Sequence, residues 1–288
     1  MRACFRLLRP EQYVKNLFIF MPVFFGLKMG DPLILVDLML AFLAFSLTAS
    51  TVYILNDFCD ILEDRAHPVK KMRPLASGAV TKRVGIITMM FLLSISLAVM
   101  TYLSLEAAFL MLIYFVLNVF YSFHLKHVAI LDVSVISIGF LLRLFIGAEI
   151  SMVDLSIWIV LMTFLLAMFL GLAKRRDDVL IFLETGKRVR KVVDGYNLKF
   201  VDSAMVIMAS VVVVTYILYA TSAEIVMRVN HQFFPLTTIF VLLGVMRYMQ
   251  ISYVFKDSGS PTKILLTDRF IQSTLVGWVI VCSWILYA

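Results

Sequence analysis

Residues 56–80, NDFCDILEDRAHPVKKMRPLASGAV, mark the place where an apolar run long enough to cross a membrane gives way to acids and then to cations. On a helix turning about 100° per residue, Asn56, Asp57, Asp60, Glu63 and Asp64 fall within an arc of about 120°. Five oxygen-bearing side chains then share a face. Four of them are acids, which repel one another at one-turn spacing unless a cation neutralises them. That points to a divalent metal. Oxygen-only ligands favour Mg²⁺ or Ca²⁺ over zinc, and Mg²⁺ in particular binds through one or two carboxylates plus substrate phosphates. The loop beyond supplies Arg65, Lys70, Lys71 and Arg73, suited to phosphate oxygens. Pro68 and Pro74 stop the helix and stiffen the loop. A solvated helix end accounts for one acid near a membrane surface, but not for four acids and an Asn on one face followed at once by four cations.

Working outward, 288 residues that are 62% hydrophobic and 16% charged, with a mean hydropathy of +0.96, exclude an ordinary soluble domain. Nine apolar runs have roughly the length a membrane crossing needs. They are residues 14–27, 33–55, 84–103, 107–123, 129–150, 155–173, 200–220, 233–252 and 270–287, the first being short and interrupted by Pro22. Of the 26 Lys and Arg, all but Lys28, Arg143, Arg228 and Arg247 fall in the N-terminal segment or in the loops after the second, fourth, sixth and eighth runs. This bias puts the N-terminus and those loops in the cytoplasm of an integral, multi-pass protein of the cell membrane. It also explains the net charge of +7 without nucleic acid. The expected fold is all-α: one domain, residues 1–288, of nine transmembrane helices around a central cavity opening to the cytoplasm. Residues 1–15 read as a basic amphipathic opening segment and lack the features of a cleaved signal peptide. Cys4, Cys59 and Cys282 have no disulfide or zinc spacing.

Two further clusters face the same side. In YSFHLKHVAILD, residues 121–132, Lys126 and two histidines occupy a short turn flanked by Tyr121 and Asp132. A helix would carry Arg143 about 16 Å beyond Asp132 and only about 20° around, so both are expected in one groove. An arginine inside a span is costly and is a functional candidate by default, while Gly139 and Gly147 on its stripe suit close packing of a neighbouring helix. After the sixth run comes LAKRRDDVLIFLETGKRVRKVVDGY, residues 172–196. Lys174, Arg175 and Arg176 followed by Asp177 and Asp178 are expected to form a second phosphate and metal wall opposite the first. The more distal cations, Lys187 to Lys191, read as a topology signal.

Carboxylates for Mg²⁺, cations for phosphate and an apolar bundle beside them suit one substrate carrying pyrophosphate and another carrying a long hydrocarbon chain. The NDxxDxxxD pattern at residues 56–64, the following RAHPVKKMRPLASG and the basic-inside layout resemble the UbiA-type intramembrane prenyltransferase superfamily. Within it, RPEQYVKNLFIFMPVFF at residues 9–25, YSFHLKHVAILD and GFLLRLFIGAE at residues 139–149 are similar to the decaprenyl-phosphate phosphoribosyltransferase branch. The resemblance is specific to about Asp178 and one of character only beyond it. It implies Mg²⁺-dependent transfer of 5-phosphoribose from phosphoribosyl pyrophosphate to a polyprenyl phosphate, with release of pyrophosphate. It also implies that Asn56, Asp57, Asp60 and Asp64 hold the metal, with Asp57, Asp60 and Asp64 the catalytic acids. Lys15, Asn16, Lys70, Arg73, Tyr121, Lys126, Asp132 and Arg143 would then meet the substrates. AKRRDDVL departs from the spaced DxxxD of the prenyl-diphosphate branch. The departure favours a substrate with more phosphate for Lys174 and Arg175, with Asp177 or Asp178 still free to bind a metal. Two alternatives are an aromatic prenyltransferase using a polyprenyl diphosphate and a 4-hydroxybenzoate-type acceptor, and a transporter without catalysis. Membrane lipids are expected partners, and a homo-oligomer is left open.

Overall fold

The computed structural model describes residues 2–66, 70–188, 190–229 and 233–287. Pro68 and the side chains of Cys4 and Arg228 lie outside the described set. Among the described residues every regular element is helical, and eight helices are long and apolar enough to cross a membrane. Helix α1, Pro32–Cys59, starts where the Asp31 carboxylate accepts the N–H groups of Leu33 and Ile34 and Pro32 occupies the first turn. Helix α2, Lys82–Leu103, is capped by Thr81. Ser104 ends α2 and caps α3, Leu105–Phe123, so that hairpin turns on one residue. Helix α4 is Leu131–Ser151. Helix α5, Ile157–Thr185, stops at Gly186, whose φ of 68° a side chain would disfavour. Helix α6, Leu198–Ala220, is capped by Asn197. Helix α7, Thr238–Gln250, runs on into a π turn, Ile251–Phe255, and α8 is Arg269–Tyr287.

The first of the nine apolar runs is not among those eight. It is built as a 3₁₀ helix, Pro10–Phe20, followed by a short α-helix, Met21–Phe25. The pitch has a physical reason. Three residues of 3₁₀ helix rise about 6 Å, the same as four residues of α-helix. Tyr13 and Asn16 therefore keep step with Ser50 and Ser46 of α1, each pair hydrogen-bonded at 2.8 Å, and Ile19 continues the stripe, fully buried. A Cβ on Gly147 would stand 2.0 Å from the Ile19 carbonyl oxygen, so only glycine lets this segment lie against α4.

The chain divides into two compact units. Unit 1, Met1–Lys126 with Leu142–Asp154, holds the 3₁₀ segment, α1 to α3 and the second half of α4. Its core gathers Ile19, Leu38, Phe45, Met100, Met111, Tyr114 and Ile146, and buried Thr48 and Ser96 hydrogen-bond α1 to α2. Unit 2, His127–Leu141 with Leu155–Ala288, holds the first half of α4 and α5 to α8 around Val133, Phe169, Ala173, Val201, Met205 and Tyr248. In both units large apolar side chains also point outward, among them Ile87 and Phe91 on α2 and Ile207 and Val214 on α6. Hydrocarbon accommodates such faces where water would not.

Candidate functional site

In unit 1, α1 ends at Cys59, Asp60 caps it, and a new turn, Ile61–Ala66, begins. The hydrogen-bond ladder continues across the break, from the Asp60 N–H to Asn56 and from the Asp64 N–H to Asp60. The five expected oxygen ligands separate at that break. Asp57 and Asp64 turn inward, each 2% exposed, while Glu63 is exposed and Asp60 half-buried. Asp57 Oδ1 accepts hydrogen bonds from Arg9 Nη2 and from Arg73 Nη1, the latter at 3.0 Å. The same Arg73 Nη1 donates to Asp64 Oδ2 at 2.8 Å. Asp60 turns elsewhere, accepting from Lys126 Nζ at 2.5 Å. Asp57 Oδ2, Asp64 Oδ1, Asp60 Oδ2 and the Asn56 amide have no side-chain hydrogen bond among the described residues.

The donor set suits Mg²⁺. Among the described residues no three His, Cys, Asp or Glu converge, but Mg²⁺ needs only one or two carboxylates when phosphate and water complete its octahedron. Asp57 and Asp64 both lie within 3.0 Å of one positively charged nitrogen, so a cation already sits between them.

The cations come from separate elements. Arg9 stands at φ 51°, ψ 57° immediately before Pro10, a left-handed conformation that costs a non-glycine residue on the order of 1 kcal/mol or more. Its guanidinium lies against the Tyr53 ring and on Asp57. Arg143, buried on α4, sits between the rings of Phe45 and Tyr114 at 4.7 and 4.9 Å. It donates through Nε to the Asn16 amide oxygen and through Nη2 to the Tyr114 hydroxyl, while the Asn16 amide donates on to Ser46. Lys15, half-buried, lies where the charges of Arg143 and Arg9 act on it, and among the described residues its ammonium makes no hydrogen bond. Tyr121 and Lys70 are half-buried too.

Unit 2 uses its acids differently. Asp132, 0% exposed, accepts from Arg175 Nε at 2.5 Å through one oxygen and from the Tyr196 hydroxyl at 2.6 Å through the other. Arg175, 1% exposed, also donates to Asp178, which pairs with Arg190 as well. The Tyr196 oxygen accepts the Ile130 N–H. Burial and the hydrogen bond to Asp132 hold the Tyr196 hydroxyl well above its ordinary pKa. Arg176 donates to Asp202 and to the Ser252 carbonyl in the π turn. The loop after that turn is pinned to α5 by Ser258, which donates to the Ala173 carbonyl.

Asp132 and Arg143 engage different partners, Arg175 and Tyr196 for the first and Asn16 and Tyr114 for the second. Arg175 and Asp178, read from sequence as phosphate and metal ligands, answer each other and Asp132. A guanidinium buried this deeply needs carboxylates beside it. Asp177 is half-exposed against Gly259, without a side-chain hydrogen bond among the described residues, and Lys174 is half-buried. Arg247 goes to Asp268. Sequence reasoning passed over Arg9, Phe45, Tyr114 and Tyr196. Arg9 carried one signal, a cation before a proline on the same side as the acids; the aromatic residues carried none, since a ring in an apolar run reads as packing.

Helices apolar enough to cross a membrane, with carboxylates and cations clustered where they end, define an integral membrane protein with charged sites at its helix ends. The chain belongs to the UbiA prenyltransferase family, whose pattern matches residues 17–274. It is 30% identical over 281 residues to the decaprenyl-phosphate phosphoribosyltransferase of Mycolicibacterium smegmatis, covering 94% of this chain and 88% of that one. To the protein of the same name from Mycobacterium tuberculosis it is 29% identical over 276 residues, covering 94% and 90%. The fold is similar to that of a UbiA homolog from Archaeoglobus fulgidus bound to GPP and Mg²⁺, with a TM-score of 0.73 over 99% of this chain and 100% of that one at 18% identity.

Proposed function

We propose that this enzyme transfers 5-phosphoribose from phosphoribosyl pyrophosphate to a polyprenyl phosphate at the cytoplasmic face of the membrane, releasing pyrophosphate. The observation that carries the reading is the pair Asp57 and Asp64 sharing one cationic nitrogen, with Lys126, Lys15 and Arg143 in the same unit. The name of the relatives at about 30% identity supports the choice of substrates.

In the reaction the bond from ribose C1 to the pyrophosphate oxygen breaks, its electron pair leaving with pyrophosphate, and an oxygen of the lipid phosphate forms the new bond to C1. The acceptor is already an anion, so no general base is required. Asp57 and Asp64, with Asn56 beside them, would hold Mg²⁺, whose charge would supply electrostatic stabilisation of the departing pyrophosphate. Lys70, Arg73, Lys126 and Tyr121 would meet the remaining phosphate oxygens, the cations neutralising their charge. Lys15 and Arg143, the latter oriented by Asn16 and Tyr114, hold a phosphate against the apolar core. Asp60 is released when Lys126 turns to phosphate. Asp132 and Arg175 hold unit 2 together, and Asp177 is its remaining metal candidate.

Purified protein is expected to release pyrophosphate from phosphoribosyl pyrophosphate only when polyprenyl phosphate and Mg²⁺ are both present. Release from a prenyl diphosphate with 4-hydroxybenzoate, and none from phosphoribosyl pyrophosphate, would overturn the assignment in favour of an aromatic prenyltransferase.

A further inference from the structure

Both carboxylates proposed as metal ligands are tied to one atom, Nη1 of Arg73, at 3.0 and 2.8 Å. We infer that Arg73 is a resident cation that keeps the place of the metal and yields it only when a diphosphate arrives to take the guanidinium. The inference rests on the reading of Asp57 and Asp64 as the metal site. Three features carry it. A single guanidinium nitrogen bridges two acids that are otherwise 2% exposed, so it neutralises the like charges that a divalent ion would neutralise. Arg73 is the more exposed partner, at 24% of its side chain, and follows the short Lys70–Met72 turn, outside the spanning helices. Asp57 has a second guanidinium, Arg9, anchored in a strained backbone and against Tyr53, so Asp57 keeps a positive neighbour when Arg73 departs.

The consequence is an order of binding. Metal alone must displace Arg73 with nothing to receive it, and so binds weakly. Metal arriving with a diphosphate gives the guanidinium a new anion, to which it can present two parallel donors. Arg73 thereby couples metal occupancy to substrate occupancy, and its removal should change the two affinities in opposite directions.

The test measures Mn²⁺ binding to the full-length protein in detergent by electron paramagnetic resonance of free Mn²⁺, with and without pyrophosphate. Arg73→Gln is expected to tighten binding of Mn²⁺ alone about tenfold, the scale on which one adjoining cation alters a carboxylate's affinity for a proton. The same change should weaken retention of pyrophosphate at saturating Mn²⁺. Arg83→Gln, which removes an exposed cation at the start of α2, should leave Mn²⁺ affinity within about twofold, the screened effect of a surface charge. If Arg73→Gln does not fold, Arg73→Lys keeps the charge with a poorer bridge and should tighten Mn²⁺ binding about threefold. Unchanged or weaker Mn²⁺ binding in whichever Arg73 variant folds, or equal tightening in Arg83→Gln, would sink the inference. Asp64→Asn separates the two levels: if it weakens Mn²⁺ binding while the Arg73 variants leave it unchanged, only the place-holder fails. If Asp64→Asn has no effect either, the metal site itself is misassigned.

Discussion

In unit 1, Asp57 and Asp64 each engage cations through one oxygen and keep the other open, and the cations reach them from side chains with a quarter or less of their surface in water. In unit 2, Asp132 commits one oxygen to Arg175 and the other to Tyr196, and Arg175 also donates through Nη1 to Asp178. The residue types are the same. What differs is the spare capacity of the oxygens and the exposure of the cation. A pair with open lone pairs and a reachable cation can exchange its partner for a ligand. A pair closed on every side in low dielectric cannot, because separating it leaves an uncompensated buried charge. The two clusters therefore differ in their partners and exposure rather than in sequence motif.

The largest expected effect tests the structural side. Arg175→Met takes the buried cation from Asp132 and one of two cations from Asp178 and should cost about 3–5 kcal/mol of stability, read as a drop in the thermal unfolding midpoint in detergent; a midpoint equal to wild type would erase the distinction between the clusters. Asp64→Asn tests the exchangeable side. It is nearly isosteric and should cut turnover by at least about 100-fold, the scale of losing a charge-stabilising group, while moving the midpoint far less than Arg175→Met does. A variant that loses stability and turnover together would place Asp64 with the structural cluster.

The smallest effect is a pH dependence. Because the Tyr196 hydroxyl is held above its ordinary pKa, the unfolded chain gives up this proton at a pH where the folded chain still keeps it. The stabilisation is present below about pH 10, the ordinary tyrosine value, and is lost as pH rises beyond it. Tyr196→Phe should therefore lower stability at pH 8 by about 1–3 kcal/mol through the stranded Asp132 oxygen and flatten the alkaline loss. An alkaline limb identical to wild type would show that Tyr196 is not what titrates there.

Much of the fold was legible because hydropathy and charge act locally along a chain in a bilayer. Each of the last eight apolar runs became a helix, with bounds shifted by cap residues such as Asp31, Thr81 and Ser104. The first did not become a long α-helix, since its pitch answers to Ser46 and Ser50 of α1, outside any local window. The acid-rich stretch was legible as a place where carboxylates meet Arg and Lys. Its one-face arrangement was not, because Asp60 ends α1 there and sends Glu63 outward while Asp57 and Asp64 turn in.

The sequence by itself determined a helical membrane protein, its family, and the stretch where carboxylates and cations gather, since these depend on residue type and period alone. Only the tertiary structure decided which cation answers which acid: Arg9 and Arg73 for Asp57, Lys126 for Asp60, and Arg175 for Asp132. The reason is that an ion pair forms between whichever opposite charges are brought within a few ångströms and shielded from water. That proximity belongs to helices distant in the chain, and residue order does not encode it in any way a pattern can read.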